Sequence, residues 1–246
     1  MSVSTFLFNK KHYTTAIILA GGSGTRMGCD NTKQFIDLAG VPVIARAVEA
    51  FQRCDMISEI VIVAKKDEIP LYQDLIEKYG FDKVERVVEG GNTRQSSALK
   101  GFEAASDKTK FIAIHDGARP LVTVDIIERT LSNAYLSHAC IAAVACKDTP
   151  KTINPISKKI EPREKQTERE RLVLAQTPQA FYADLYRCAA YYAREKGFEA
   201  TDDASLAEFS GFEVKCVEGS YENIKITTPE DLIFAEAILS SRYNKS

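Results

Sequence analysis

The run Ala16-Ile17-Ile18-Leu19-Ala20 carries no polar side-chain atom and passes straight into Gly21-Gly22-Ser23-Gly24. An unbroken apolar run of this length reads as a strand buried on both faces, the kind found in parallel sheets. Glycines after it let the chain turn sharply and let backbone N–H groups crowd an anion. Two cations, Arg26 and Lys33, follow. Strand, glycine loop and fixed cations in that order suit a phosphate. The loop is neither common phosphate motif: Met27 stands where the dinucleotide fingerprint needs glycine, and no glycine precedes a lysine as a Walker A loop requires. By itself the loop also fits a plain strand-to-helix turn.

Periodicity downstream supplies the rest of the sheet. Residues 59–64, 83–88, 111–115 and 140–146 read as strands, and residues 42–53, 68–79, 94–106 and 124–135 as helices between them. The core is expected to resume at 172–175, followed by helices at 184–196 and 202–209 and short strands at 213–217 and 223–226. Thr228-Pro229-Glu230-Asp231 opens a last helix, with Thr as N-cap, Pro at the first helical position and a carboxylate at the third. Alternating strands and helices predict an α/β fold: one domain, a mostly parallel sheet and helices on both faces. Residues 1–15 read as a short lead-in and 16–242 as the domain.

The rhythm fails over 147–171, which is polar and holds Pro150, Pro155 and Pro162. A mobile loop is one reading. The other is a projecting β-arm, since Lys151-Thr152-Ile153 and Lys159-Ile160-Glu161 can pair as a hairpin; long excursions inside a domain usually serve function or interaction.

Composition excludes several classes. A net charge of −2 gives no basic field for nucleic acid. No apolar run reaches the roughly 20 residues of a membrane span, and no long apolar stretch follows Lys10 and Lys11 to make a signal peptide. A cytoplasmic protein is expected. The cysteines form no C-x-x-C pair, and Cys140, Cys146 and Cys216 lie in apolar runs, which predicts buried reduced thiols. No metal cluster follows from the spacing of His and Cys.

Ligands of an open parallel sheet lie beyond the carboxyl ends of its strands. Those ends carry Gly21 to Arg26, then Gly90-Gly91-Asn92 with Arg94 and Ser97, then Asp116 and Arg119, then Asp148 and Thr149, and Thr177. Small and cationic residues in this set suit a polyphosphate. Asp116 and Arg119 are also compatible with a simple structural ion pair. Lys225, between Ile224 and Ile226, is either the wet face of an edge strand or a phosphate ligand in the cleft.

AGGSGTRMG, TKQF, GG-x-x-R, IHDGARP, KDT, Arg169 ahead of QTPQAF, TDDAS and NIKITTPEDL occur in this order along the chain. Together they resemble the 2-C-methyl-D-erythritol 4-phosphate cytidylyltransferases, nucleotidyltransferases with a Rossmann-like fold that act in non-mevalonate isoprenoid biosynthesis. Thr32 stands where that family usually has proline, Gly21 where many members have alanine, and Gly117 where alanine is usual. The Gly21 change is shared with the ribitol-5-phosphate cytidylyltransferases, whereas Thr201-Asp202-Asp203-Ala204-Ser205 is closer to the erythritol family.

The resemblance implies transfer of a cytidylyl group from CTP to a polyol phosphate, with release of pyrophosphate. It places Arg26 and Lys33 on the triphosphate and Lys225 between the α-phosphate and the acceptor phosphate. It puts the loop residues Gly22, Ser23 and Gly24, with Arg94, on the nucleotide, and assigns cytosine recognition to backbone groups near Ala20, Gly21, Gly91 and Asn92, with Ser97 helping. Asp116 would take ribose or acceptor hydroxyls; Arg119, Thr149, Thr177 and Thr201 would hold the acceptor. Arg169 would reach the acceptor site of a second subunit, which makes a homodimer through the arm. Mg2+ would be bound mainly through the CTP phosphates. Transfer to ribitol 5-phosphate and a non-catalytic nucleotide-binding module are the competing readings.

Overall fold

The computed structural model describes residues 12–22, 33–162 and 167–244, with Lys33 by its backbone only. Arg26, Ser23, Gly24, Cys29, Thr32 and the side chain of Lys33 lie outside the described residues, as does most of the lead-in. In chain order the elements are β1 (Thr14–Leu19), β2 (Asp37–Leu38), β3 (Val41–Pro42), α1 (Val43–Arg53), β4 (Glu59–Ala64), α2 (Ile69–Tyr79) and β5 (Val84–Glu89). They continue with α3 (Arg94–Glu103), β6 (Phe111–Asp116), α4 (Val124–Ser137), β7 (Ala139–Ala145), β8 (Val173–Tyr182), α5 (Ala183–Glu195), α6 (Asp203–Phe209), β9 (Lys215–Glu218) and α7 (Pro229–Tyr243).

A seven-stranded sheet has the order β5-β4-β1-β6-β8-β7-β9. β5, β4, β1 and β6 pair in parallel, and so do β7 and β9. β8 alone opposes its neighbours, β6 and β7. Alternation along β1 sends Ala16 and Ile18 to one face and Ile17 to the other, all fully buried. The first face packs against α1, α2 and α4 through Val48, Phe51, Tyr72, Leu75, Ile127 and Leu131. The second packs against α3, α5 and α6 through Phe102, Tyr186, Ala190 and Leu206. That is the expected α/β sandwich, with no helix among the described residues long and apolar enough to cross a membrane.

α7 closes a third, smaller cluster, in which Ala235 and Leu239 meet Leu38, Val43, Leu121 and Ile226. Its start is fixed as the sequence predicts: Asp231 Oδ2 accepts from Thr228 N at 2.8 Å and from Thr227 N at 2.7 Å.

Three expectations need correction. Residues 223–226 form no strand; a bond from Ile226 N to Ala118 O at 2.8 Å ties this extended stretch to the loop after β6. Residues 172–175 do not lie in the core. Residues 173–175 begin β8 beyond the reach of β6 and pair with β7 alone, leaving Val173 51% and Leu174 53% exposed. Cys216 is exposed on the edge strand β9 and Cys146 is half-buried, while Cys54 and Cys140 are buried. An apolar run does not bury its cysteine when the strand stands at the sheet edge.

Between β7 and β8 the chain extends away from the sheet. Ile153 and Ile160 form an antiparallel bridge, flanked by Glu161 N to Thr152 O at 2.8 Å and Asn154 N to Lys159 O at 2.9 Å. This is the anticipated hairpin, reduced to a single bridge. Lys147 Nζ sits 3.5 Å from the centroid of the Tyr221 ring, beside the root of the hairpin.

Candidate active site

The carboxyl ends of β1, β4 and β6 lie side by side, because Leu19 is in register with both Val63 and Asp116. Ala20 N donates to Val63 O at 2.8 Å and Gly117 N to Leu19 O at 2.9 Å, so the glycine loop starts beside Asp116. Gly91 is held by Ser97, whose Oγ accepts from Gly91 N at 3.0 Å. A Cβ on Gly91 would stand 2.2 Å from Ser96 Oγ, so this turn admits glycine alone. Thr93 caps α3, accepting from Ser96 N at 3.0 Å.

Asp116 is the hub. Its Oδ2 accepts from Lys225 Nζ at 2.8 Å and has Arg119 Nε at 3.8 Å; its Oδ1 has Arg94 Nε at 3.4 Å. Burial alone would raise the Asp116 carboxyl, but Arg94, Lys225 with its hydrogen bond, and Arg119 hold it well below the usual carboxylate range. Burial lowers the Arg119 guanidinium, with Asp116 drawing it back up. Three cations face two carboxylates, Asp116 and, through Arg94, Asp203, which leaves a positive surplus of the kind an anionic ligand needs.

Thr177 is placed here with a specific job. Its Oγ1 accepts from Asp116 N at 3.1 Å and lies 3.0 Å from His115 Nδ1, while His115 Nε2 lies 3.2 Å from Arg119 O. A carbonyl can only accept, so Nε2 carries the hydrogen and Nδ1 accepts from the threonine hydroxyl. Burial pushes His115 down to about 4, so the imidazole is neutral and can serve both bonds. Arg119 Nη1 donates to Asn223 O at 2.7 Å, and Asn223 Nδ2 to Thr177 O at 2.9 Å, which closes the ring of contacts.

His115, Asn223, Gln176 and Gln179 are not among the residues singled out from sequence. Gln176 Nε2 donates to Ser220 O at 2.8 Å and steadies the loop that precedes Lys225. Gln179 Oε1 accepts from Asp203 N and Ala204 N, both at 3.0 Å, and fixes the start of α6 to β8. The available signal was polarity out of place at His115, which follows the apolar run 111–114 in β6; the burial of both glutamines shows only in the fold.

The arm residues are elsewhere within the chain. Thr149 and Arg169 line a cleft of about 710 Å3 with Ile160 and Glu168. Arg169 Nη1 reaches Lys147 O at 3.4 Å. Among the described residues neither bonds to the Asp116 cluster. Thr201, Asn92 and Gly22 are exposed near the helix starts they precede or the strand end they follow.

The pattern of the 2-C-methyl-D-erythritol 4-phosphate cytidylyltransferase family, IspD, matches residues 14–241. The chain belongs to this family. The cytidylyltransferase of Alkaliphilus oremlandii (strain OhILAs) is 46% identical over 230 residues, 93% of this chain and 96% of the relative. That of Geobacillus kaustophilus (strain HTA426) is 41% identical over 227 residues, 92% and 97% of the two chains. Among solved structures, 4-diphosphocytidyl-2C-methyl-D-erythritol synthase from Anaerococcus prevotii DSM 20548 superposes with a TM-score of 0.82 at 33% identity, covering 94% of this chain and 100% of that one. The cytidylyltransferase of Thermus thermophilus does so with 0.74 at 31% identity, over 92% and 98%.

The three departures from the cytidylyltransferase pattern differ in consequence. A Cβ at Gly21 would meet nothing nearer than 3.8 Å, so alanine fits there. A Cβ at Gly117 would stand 2.6 Å from Ile44 Cδ1 and 3.0 Å from Leu19 O, so this chain has packed into the space that alanine would fill. Thr32 lies outside the described residues.

Proposed function

We propose that this IspD family member transfers the cytidylyl group of CTP to 2-C-methyl-D-erythritol 4-phosphate, releasing pyrophosphate, in isoprenoid precursor biosynthesis. The observation that carries the chemistry is the meeting of Lys225, Arg119 and Arg94 on Asp116 beside the glycine loop. The acceptor phosphate oxygen attacks the α-phosphorus in line, and both reactants are anions. Fixed cations bring them together and stabilise charge gathering on the five-coordinate phosphorus. An ammonium has three donors, so Lys225 can stay on Asp116 and still bridge two phosphates. Arg26 and Lys33 complete the triphosphate site, with Gly22, Ser23 and Gly24.

Arg119 and Thr201 hold the acceptor, with Thr149 and Arg169 of the arm. Thr177 acts from behind, since its hydroxyl is engaged by Asp116 N and His115. Cytosine recognition falls to backbone groups of Ala20, Gly21, Gly91 and Asn92 that are not already bonded within the chain. Mg2+ enters as part of the substrate, as magnesium–CTP. The phosphates are its main ligands, since Mg2+ keeps several waters and favours substrate phosphates over an all-protein cage; Asp116 and Asp203 face cations.

The working unit is a homodimer in the cytoplasm, with the arm of each subunit laid on the other. Ile153, Ile156 and Ile160 are 47%, 92% and 64% exposed on the arm, a surface that suits burial against a second copy. Pyrophosphate release from CTP, measured across a panel of polyol phosphates, tests the function. Turnover is expected with methylerythritol phosphate; turnover with ribitol 5-phosphate instead would overturn the assignment of acceptor.

A further inference from the structure

Asp203 is 1% exposed, deeper than Asp116. Its Oδ2 accepts from Arg94 Nη1 at 2.7 Å and its Oδ1 from Tyr186 Oη at 3.2 Å. Its own N–H is held by Gln179 Oε1 at 3.0 Å, so the carboxylate cannot follow the arginine. Arg94 therefore divides itself unequally. It gives its short bond to Asp203, and only the 3.4 Å approach of Nε to Asp116 Oδ1.

The two oxygens of Asp116 consequently differ. Oδ2 faces Lys225 at 2.8 Å and Arg119 at 3.8 Å. Oδ1 faces, among the described side chains, the distant Arg94 alone. An acceptor oxygen not saturated by a cation can take a substrate hydroxyl. An Arg–carboxylate pair prefers a close, two-bonded fork. Without a competing charge, Arg94 would close on Asp116 and occupy that oxygen.

We propose that Asp203 is a positioning residue for substrate binding: by holding Arg94, it keeps Asp116 Oδ1 open to a hydroxyl of the sugar or polyol. This rests on the reading above that puts a substrate hydroxyl on Asp116. Tyr186 serves the same purpose one step further back, by fixing Asp203.

The test is a double-substitution cycle read by calorimetric binding of CTP and of the acceptor phosphate to the full chain. Asp203→Asn keeps size and removes charge. It is expected to weaken one of the two ligands about tenfold, the scale of one charge-assisted hydrogen bond, while kcat at saturation changes about twofold or less. In an Asp116→Asn background the same substitution should leave that affinity unchanged. Equal weakening in both backgrounds, or a fall in kcat with both affinities intact, overturns the proposal. If Asp203→Asn does not fold, Tyr186→Phe is read in the same two backgrounds, with a smaller loss and the same dependence on Asp116 required. Turnover of CTP by the unaltered chain is measured alongside; its absence defeats the functional reading itself, whereas normal turnover without coupling defeats only the role of Asp203.

Discussion

Lys225 Nζ and Asp116 Oδ2 lie 2.8 Å apart although 109 residues separate them in sequence. The pairing brings the segment before α7 to the carboxyl end of β6, and so to the glycine loop. Lys225→Ala is expected to lower turnover by about 10²–10³, the usual cost of one preorganised donor. Lys33→Ala should cost a similar factor. Both variants should still fold, with a lower melting point for Lys225→Ala, because the buried Asp116 carboxylate then loses one of its three cations. Steady-state rates and melting curves on both variants check this, and near-normal turnover would count against the site.

Acid should weaken the fold through His115. Its folded pKa of about 4 lies below the ordinary 6.5, so between these values the unfolded chain binds the extra proton. Stability from the neutral imidazole is thus complete above pH 6.5 and is lost as pH falls toward 4, by on the order of 3 kcal/mol. Asp116, held low by its cations, adds to the loss with the same sign at still lower pH. Urea midpoints across this range should fall more steeply in the unaltered chain than in His115→Asn; parallel curves would remove His115 from the account.

Two glycine substitutions should part company. Gly117→Ala drives a methyl group into Ile44, Leu19 O and Gln34 Oε1, and overpacking of this kind costs about 1–3 kcal/mol. Turnover should fall with stability, since Gln34 adjoins Lys33. Gly21→Ala meets only ordinary contacts and should stay within about 0.5 kcal/mol of the parent. Paired melting curves and rates decide the matter, and a harmless Gly117→Ala would refute the packing argument.

The proposed sharing of sites across a dimer predicts rescue. Lys225→Ala and Arg169→Ala chains, each nearly inactive alone, should recover about a quarter of normal activity after mixing and exchange, because half of the dimers carry one intact site. No recovery, with exchange verified by a tagged chain, would place Arg169 in its own subunit's site or in none.

How far the sequence reached depends on what each residue leans on. β4 was legible to the residue, since the run 60–64 is apolar between Glu59 and Lys65 and the strand is buried throughout. Lys225 was legible by alternation: Ile226 is fully buried while the lysine side chain is 41% exposed. The strand proposed around it was not there, because side chains of Asn223 and Arg119 hold that stretch where a ladder was expected. The orientation of β8 was hidden, as parallel and antiparallel central strands share one apolar pattern. The role of Asp203 was hidden because its partner, Arg94, is 109 residues away and only folding puts the two in reach.

β8, running against every other strand of the sheet, has a last consequence. Because it starts where β7 stops, the hairpin between them springs from the ligand-bearing rim of the sandwich and not from its floor. A with-grain strand there would have needed a crossover, and the same excursion would have emerged on the far side of the molecule. One reversal of chain direction thus puts the root of the hairpin on the same rim as Asp116 and the glycine loop.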